Sequence, residues 1–247
     1  MKLILIGKSA SGKDTLRHAL EQRGLVFAKT YTTRKARDNE PSDTYIYLDD
    51  DQMEEKLDNL VAKSEFEFGS KRYGVDPDDL AQADAVILTP SGAREVCHAI
   101  GHHMSCVIIY MTADDDVRIQ VSAARGASPE EIKTRDEQDK KTFEDIETLF
   151  DDEYVAGVIR LENTYEARDL ELMAEAIMRA RRQHDRVEHI IDELIDADAI
   201  ENIDGAVFVT TDDGSSIEVT SDVLASMYLA RSDELLNLLL TRLGLEI

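Results

Sequence analysis

Short apolar runs alternate with amphipathic stretches along roughly the first 180 residues of the chain. The runs at Ala85–Leu88 and Cys106–Tyr110 are continuously apolar, which is typical of central strands covered on both faces. Further strands are predicted at Met1–Ile6, Leu25–Ala28, Tyr45–Leu48 and Val155–Leu161. Strands that alternate with helices form a parallel sheet wrapped by helices, so the pattern predicts an α/β fold.

Helical patterns occupy most of the intervals between these runs. Helices are predicted to begin at Leu16, after Ser128 and at Thr164, and Asp50 or Asp51 is predicted to cap a further helix. Ser128 opens a capping box with proline at the next position, which predicts a helix from there to about Leu149. One interval differs, because Glu65–Val75 is typical of a β-hairpin, with Gly69 at its turn.

The composition changes near residue 183. From Gln183 to Ile247 the chain has 15 acidic residues and three basic ones. Two alternating segments, 206–210 and 216–220, predict a β-hairpin with its turn at 212–214, and a leucine-rich stretch ends the chain. We therefore predict a main domain over 1–182 and a small α+β appendage over 183–247, which serves self-association into a homo-oligomer.

A glycine-bounded loop follows the first strand and precedes the first helix. It comprises Gly7, Lys8, Ser9, Ala10, Ser11, Gly12, Lys13, Asp14 and Thr15. This spacing is that of the phosphate-binding loop, whose backbone N–H groups surround a polyphosphate at a helix N-terminus. Lys13 adds a charge that reaches the terminal phosphates. The sequence thus predicts a P-loop NTPase fold that binds ATP through these nine residues.

Asp14 departs from the usual motif, in which Ser or Thr follows the loop lysine and binds Mg²⁺. A carboxylate beside a triphosphate is repelled by about 4 kcal/mol per charge pair at ~4 Å and an effective dielectric constant near 20. A divalent cation between the two removes this repulsion, and carboxylate oxygens are ordinary Mg²⁺ ligands. We therefore interpret Asp14 as a metal-site residue, with Mg²⁺ as the cofactor.

The charge distribution indicates an anionic small molecule rather than a nucleic acid. The net charge is −24, which argues against DNA or RNA as a partner. Residues 1–37, however, hold nine Lys or Arg and two acidic residues, a net +7. A positive segment in an acidic protein suggests the place where an anionic substrate is held.

The low cysteine content and the shortness of the apolar runs predict the cellular location. Two cysteines, Cys97 and Cys106, make no disulfide framework, so we expect reduced thiols in a cytoplasmic protein. The histidines between them match no zinc spacing. Met1–Ile6 is too short for a signal peptide, and no apolar run approaches the ~20 residues of a membrane span.

The segment Thr32–Arg37 reads TTR-x-x-R, with Glu40 soon after it. This segment resembles the loop with which guanylate kinases bind the phosphate of GMP, and Tyr45 stands where that family has a tyrosine. Lys71–Gly74 is similar to the family's N-x-Y-G segment, and Arg125 and Arg135 fall in a stretch that resembles its lid. The resemblance covers roughly residues 1–182.

The resemblance implies ATP-dependent transfer of a phosphoryl group to a nucleoside monophosphate. Phosphoryl transfer requires positioning and neutralisation of charge, which suits arginine forks that hold phosphate bidentately. The implied catalytic residues are Lys13, Arg34, Arg125 and Arg135. The implied acceptor-binding residues are Thr30, Arg34, Arg37, Tyr45, Glu65, Glu67 and Tyr73.

The expected base pocket departs from the family pattern. Ser64 stands where an acidic residue is expected, with Glu65 and Glu67 close by, and Thr89 replaces an aspartate. Val75 replaces the hydroxyl residue that follows N-x-Y-G.

Three functions therefore stay open for this chain. The first is a kinase of GMP, dGMP or a related nucleotide. The second is a sugar-phosphate kinase similar to ribose 1,5-bisphosphate phosphokinases, which also resemble this chain in having Asp after the loop lysine. The third is a non-catalytic guanylate kinase-like binding module, whose known examples have lost the phosphate loop.

Overall fold

A computed structural model describes residues 1–36, 45–66, 70–101, 104–196, 200–203, 206–210 and 216–219. The chain divides into two compact units, Met1–Met178 and Arg179–Ile247. In chain order, the elements of the first unit are β1 (Lys2–Ile6), α1 (Lys13–Glu21), β2 (Thr30–Thr32), β3 (Tyr45–Tyr47), α2 (Asp50–Leu57), β4 (Val61–Phe66), β5 (Lys71–Val75), α3 (Pro77–Gln82), β6 (Ala85–Ile87), α4 (Pro90–Ile100), β7 (Cys106–Thr112), α5 (Asp115–Ala124), α6 (Pro129–Thr142), α7 (Ile146–Phe150), β8 (Val155–Glu162) and the start of α8 (Ala167–Asp196).

Four parallel strands form the central sheet in the order β6-β1-β7-β8. In register, Ile4 of β1 lies between Val86 of β6 and Ile108 of β7. Every residue of β1 is buried, as expected of a central strand that is covered on both faces. The predicted α/β fold with a parallel sheet wrapped by helices is therefore confirmed.

The central sheet has one hydrophobic core on each face, because side chains alternate along a strand. Ile4 and Ile6 belong to one core, while Leu3 and Leu5 belong to the other. All four side chains are essentially inaccessible to water. Burial of each contributes about 1.5–3 kcal/mol, so the two cores fix β1 and hold the loop that follows it.

A second, mixed sheet has the order β3-β2-β5-β4. β2 pairs in parallel with β3 and antiparallel with β5, and the register places Thr32 opposite Tyr73. β4 and β5 are antiparallel, with Ser64 opposite Tyr73. The predicted strand at Tyr45 and the predicted hairpin strands are confirmed, whereas Gly69, assigned to the turn, lies outside the described residues.

Three local predictions are wrong. Leu25–Ala28 is not a strand: it makes a single β-bridge, from Phe27 to Ala85, and the strand comes later, at β2. The predicted helix to Leu149 ends at Thr142, where Phe143 turns into the core and stacks on Tyr110 with ring centres 5.9 Å apart. The second helix is capped one residue earlier than predicted, by Asp49, whose carboxylate accepts from the N–H of Gln52.

The second unit contains the end of α8 and three strands, β9 (Ile200–Ile203), β10 (Ala206–Thr210) and β11 (Ser216–Val219). They form an antiparallel sheet in the order β11-β10-β9, so the predicted hairpin strands pair as expected. The turn at 212–214 and the leucine-rich end of the chain lie outside the described residues. Self-association through 183–247 stays a prediction. Within the described part of the chain, no helix combines the length and apolarity needed to cross a membrane.

Candidate functional site

The phosphate loop joins β1 to α1, and its two glycines are required for different reasons. Gly12 has a φ of +99°, in the left-handed region, and a Cβ there would collide with the Asn163 amide. A Cβ on Gly7 would meet the Met111 carbonyl and approach the Ser11 Oγ to 2.8 Å. Close packing therefore excludes a larger residue from both positions, and the left-handed backbone conformation is a second reason at Gly12.

The N-terminus of α1 opens into the site. Among the described residues, no side chain caps the first turn of this helix. Its leading N–H groups thus have no intrahelical acceptor and remain available for an anion. Lys13 lies at the same place, where its Nζ donates to the Gly7 carbonyl (2.7 Å) and the Lys8 carbonyl (2.9 Å). Removal of water around the ammonium lowers the pKa of Lys13.

Side chains from distant parts of the chain hold the loop carbonyls. The Arg118 guanidinium donates to the Ser9 carbonyl at 3.0 Å, and the Asn163 amide donates to the Ser11 carbonyl at 3.0 Å. The Tyr165 hydroxyl donates to the Ala10 carbonyl. These bonds fix the loop from α5 and from the segment after β8. None of the three partners was predicted from the sequence, since each is an ordinary residue when it is considered alone.

Arg118 is the buried centre of an ion network beneath the loop. Its side chain is 4% exposed, and its guanidinium nitrogens lie 2.6 Å from the exposed Asp115, 3.2 Å from Asp136 and 3.7 Å from the buried Asp139. The Asp139 carboxylate also accepts from the Ser9 N–H at 2.7 Å. Burial raises the pKa of Asp139, whereas the Arg118 guanidinium lowers the pKa of Asp115.

Asp14 faces the cleft in the first turn of α1, with its Oδ1 3.5 Å from the Tyr45 hydroxyl. The described residues contain no cluster of three or more His, Cys, Asp or Glu that could hold a metal by itself. A single carboxylate beside a phosphate loop nevertheless fits Mg²⁺, which keeps several waters and takes its other ligands from substrate phosphates. The residues present are therefore compatible with the predicted cofactor.

Arg34 lies on the other side of the cleft, after β2. Its side chain is buried, with the guanidinium over the ring of Tyr45 at 5.0 Å and over that of Tyr47 at 5.8 Å. Tyr73 packs edge-on against Tyr45, with ring centres 6.5 Å apart. The aromatic rings fix the direction of the guanidinium, so Arg34 is held in place before any ligand binds.

One cleft brings most of the predicted site residues together. The predicted residues that line it are Gly7, Ser9, Ala10, Gly12, Lys13, Asp14, Thr15, Thr30, Arg34, Tyr45, Tyr73, Arg125 and Arg135. Residues of the lining that were not predicted as site residues include Lys71 and Asp139 among the charged side chains, and Ala62, Ile87, Leu88 and Phe143 among the apolar ones. Val75, which departs from the family pattern in the expected base pocket, also lines the cleft.

Three predicted site residues that the structure describes, Lys8, Ser11 and Glu65, are absent from this lining. Lys8 extends to Asp115, with Nζ 3.5 Å from its carboxylate, and Ser11 is buried behind the loop. Arg37 and Glu67 lie outside the described residues. Glu65 is exposed and stands opposite Arg72 in the β4–β5 pair, whereas Ser64, one residue earlier, lines the cleft. Since neighbouring residues of a strand point to opposite faces, the Glu65 side chain is directed away from the cleft.

Comparison with known proteins gives a fold likeness only. No protein-family model matches the chain, and no curated protein matches it. Among solved structures, guanylate kinase from Anaplasma phagocytophilum is similar over 74% of this chain and 85% of its own, with 16% identity and a TM-score of 0.46. Shikimate kinase from Acinetobacter baumannii, in complex with shikimate, is similar over 74% and 93%, with 12% identity and a TM-score of 0.38.

Proposed function

We propose that the chain transfers the γ-phosphoryl group of ATP to a small phosphomonoester, with a nucleoside monophosphate as the first candidate acceptor. The observation that carries the proposal is the position of Arg34. This buried, pre-oriented guanidinium lines the same cleft as the phosphate loop, so two anion-binding groups face one space. A donor phosphate and an acceptor phosphate are thereby brought together, which is most of what phosphoryl transfer requires.

The donor end binds ATP through backbone and charge. The uncapped N–H groups of α1 bind the β- and γ-phosphates, and Lys13 exchanges its two carbonyl partners for phosphate oxygens. An ammonium ion whose neighbours have displaced its water gains more from a phosphate than a hydrated one does. Lys13 therefore stabilises the transition state, in which charge spreads over the transferring oxygens, more than it stabilises the fold.

Asp14 is the residue that would hold Mg²⁺. When bound, the ion neutralises phosphate charge and orients the triphosphate. The Asp14 carboxylate lies beside the loop and within reach of the Tyr45 hydroxyl. Replacement by Asn removes a charged ligand and should weaken the affinity for Mg²⁺, so that more Mg²⁺ is needed for the half-maximal rate, whereas Asp14→Ser should be comparatively benign. An unchanged Mg²⁺ titration in Asp14→Ala would contradict the metal role.

The acceptor end supplies the second phosphate site. Arg34 binds the acceptor's phosphate group, and Arg125 and Arg135, both in the lining, neutralise the phosphoryl group as it moves. A phosphate oxygen is already a nucleophile at neutral pH, so the reaction needs no general base. This agrees with a cleft whose described carboxylates, Asp14 and Asp139, both lie at the donor end.

The apolar part of the lining supports a nucleotide acceptor. Ala62, Val75, Ile87, Leu88 and Phe143 form walls that suit a flat base better than a hydroxyl-rich sugar. The Ser64 hydroxyl is a polar group in the same lining that can read a base edge. These features favour GMP, dGMP or a related nucleotide as the substrate.

A sugar phosphate is the second candidate, and the direction of Glu65 favours it. Guanine recognition calls for a carboxylate that accepts from two adjacent N–H donors, and Glu65 faces away from the cleft. A ribose bisphosphate offers no such donors and needs hydroxyl and cationic partners only. The non-catalytic module is least supported, because Gly7, Gly12 and Lys13 are all present and Lys13 is directed into the loop.

The test is a panel of acceptors incubated with ATP and Mg²⁺, with ADP formation as the readout. GMP, dGMP, AMP, CMP, UMP and ribose 1,5-bisphosphate are compared in the wild type and in Glu65→Gln and Glu67→Gln. Turnover of a nucleotide supports the first candidate, and turnover of the sugar alone, untouched by both substitutions, supports the second. ATP binding without ADP formation from any acceptor would overturn the proposal in favour of the binding module.

A further inference from the structure

A second cavity, beside the cleft, has five cations and one carboxylate in its lining. It lies between the phosphate loop, the segment after β2, the start of β5 and the turn from α5 to α6. Its charged lining residues are Arg34, Lys35, Lys71, Arg125, Arg135 and Glu131. Five cations therefore face one carboxylate among the lining residues that the structure describes. Such an excess of one sign around a cavity is typical of a site for an anion.

Lys71 is a cation of this cavity. The sequence predicted that it lies in the hairpin, but it was not among the predicted site residues. It begins β5, its side chain is 21% exposed, and it lines the cleft as well as the second cavity. Loss of water lowers the pKa of Lys71, and the nearby charges of Arg135 and Arg34 lower it further. These three cations repel one another, so an anion placed among them is stabilised.

Glu131 partly supplies that anion in the absence of a ligand. Its Oε1 lies 2.8 Å from an Arg135 nitrogen and 3.5 Å from Lys71 Nζ. One carboxylate thus interacts with two cations, at the N-terminal turn of α6. A phosphomonoester dianion carries twice the charge and more acceptor oxygens, so it can replace the carboxylate with a net gain.

We propose that Lys71, together with Arg34 and Arg135, binds the phosphate group of the acceptor, and that Glu131 occupies these cations until the acceptor arrives. The inference rests on the proposed function and deepens it by assigning a specificity-determining cation and its exchange partner. Its ligand class is a phosphomonoester dianion. No covalent step is involved, because one anion replaces another.

A purely structural role for the Lys71–Glu131 pair predicts something different. A clamp between β5 and α6 would lose stability when either partner is removed, and anion affinity would not rise. The proposal makes the two residues act in opposite directions, since Lys71 attracts phosphate and Glu131 competes with it. The opposite signs distinguish a binding site from a clamp.

The experiment measures calorimetric binding of inorganic phosphate to the full chain, with saturating ADP present to occupy the donor loop. Lys71→Met should weaken phosphate binding about 10- to 100-fold, the loss expected for one hydrogen bond to a charged group, and Lys71→Arg should restore most of it. Glu131→Gln should tighten phosphate binding several-fold. ADP affinity should change much less than phosphate affinity in every variant, because ADP binds through the backbone N–H groups of Gly7–Thr15.

Two substitutions serve as matched controls. Arg72→Met removes the neighbouring cation of β5, which is bound to Glu54 and Asp50 instead. Glu130→Gln removes the adjacent first-turn carboxylate of α6, and it has the same effect on the helix dipole as Glu131→Gln. Neither should change phosphate affinity by more than about twofold. Melting temperatures of all variants show whether any has lost its fold.

The outcomes separate this inference from the proposed function. Unchanged phosphate binding in a folded Lys71→Met, or weaker binding in Glu131→Gln, overturns the inference even if the chain is an active kinase. Phosphate binding that follows the expected pattern, without turnover of any acceptor in the panel, supports the anion site and overturns the kinase. If ADP does not bind, the same titration is done without it, and the opposite effects expected of Lys71→Met and Glu131→Gln support or overturn the inference as before.

Discussion

The donor end and the acceptor end of the cleft are built in opposite ways. At the donor end, one continuous segment, Gly7–Thr15, presents backbone N–H groups and a lysine. It is held by Arg118 and Asn163, which are 109 and 152 residues away from their loop partners in the chain. At the acceptor end, the contacting side chains come from separate elements, with Arg34 after β2 and Lys71 in β5.

The two ends therefore differ in how specifically they bind their ligands. Backbone groups bind any phosphate of suitable geometry, so the donor loop needs few particular side chains and is visible in the sequence as a spacing. Side chains determine the shape and charge of the acceptor end, so small changes there alter the substrate. Substitutions in the donor end should therefore reduce turnover for every acceptor, whereas those in the acceptor end should change the KM of particular ones.

The largest effect should come from Lys13→Ala. Loss of one preorganised charge at the transferring group lowers kcat by about 10³-fold, the upper range for removal of a single transition-state donor. The melting temperature should change little, because the Lys13 ammonium donates to two carbonyls of its own loop, at Gly7 and Lys8. ADP formation and a thermal melt measure both quantities, with the exposed Lys133→Ala as control. An active Lys13→Ala variant would show that Lys13 is not needed for phosphoryl transfer.

The next effect is on stability and tests the support beneath the donor loop. Arg118→Met should lower the free energy of unfolding by about 3–5 kcal/mol, because it leaves the buried Asp139 and the partly buried Asp136 without their shared cation. Lys140→Met, which removes an exposed cation from Asp136, should have a much smaller effect, because exposed ion pairs contribute little to stability. Urea unfolding followed by circular dichroism measures both. Equal losses would mean that burial of the network adds nothing.

At the acceptor end, Arg34→Met should raise the acceptor KM about 10- to 100-fold, as expected for loss of a hydrogen bond between charged groups. The KM for ATP should stay within about twofold, since ATP binds through the donor loop. Steady-state kinetics with the preferred acceptor measure both constants, and Lys63→Met in β4 is the control. Equal rises in the two constants would show that the two ends are not separate.

The smallest effect is a pH dependence. The folded-state pKa of Asp139 is raised by burial, so its charged form is less favourable in the folded chain than in the unfolded one. The resulting cost to stability is present at neutral pH and disappears as the pH falls through the raised pKa toward the ordinary value near ~3.9. In Asp139→Asn the cost is absent at every pH. The wild type should therefore gain stability relative to Asp139→Asn on acidification from pH 7 to 4, and parallel stability curves would contradict this.

Sequence alone predicted well where the glycine-bounded loop lies, between β1 and α1, and predicted its surroundings poorly. Gly7, Gly12 and Lys13 are close in the chain, so their spacing carries the information. The net charge of +7 on residues 1–37 predicted the residues of the cleft only in part. Lys2 is buried and donates to the Leu80 carbonyl at 2.6 Å, and Arg17 pairs with Glu21 at 2.7 Å. These cations serve packing and helix contacts, which charge counting does not distinguish from substrate binding.

The errors in secondary structure have a similar origin. β2 has only three residues, and its pairing with β3 and β5 fixes it as a strand more than its own composition does. The predicted helix to Leu149 is interrupted because Phe143 is buried against Tyr110, a contact between residues far apart in sequence. Long apolar strands such as β7, in contrast, are fixed by burial on both faces and were predicted correctly.

Helix α6 carries Glu131 near one end and Asp139 near the other, eight residues and about 12 Å apart along a rigid axis. Glu131 contacts the acceptor-side cations, and Asp139 accepts from the Ser9 N–H of the donor loop. Helix α6 therefore connects the release of Glu131 by an incoming acceptor to the donor loop. The two substrates then become thermodynamically linked, and whatever factor the acceptor applies to nucleotide affinity, the nucleotide applies to acceptor affinity.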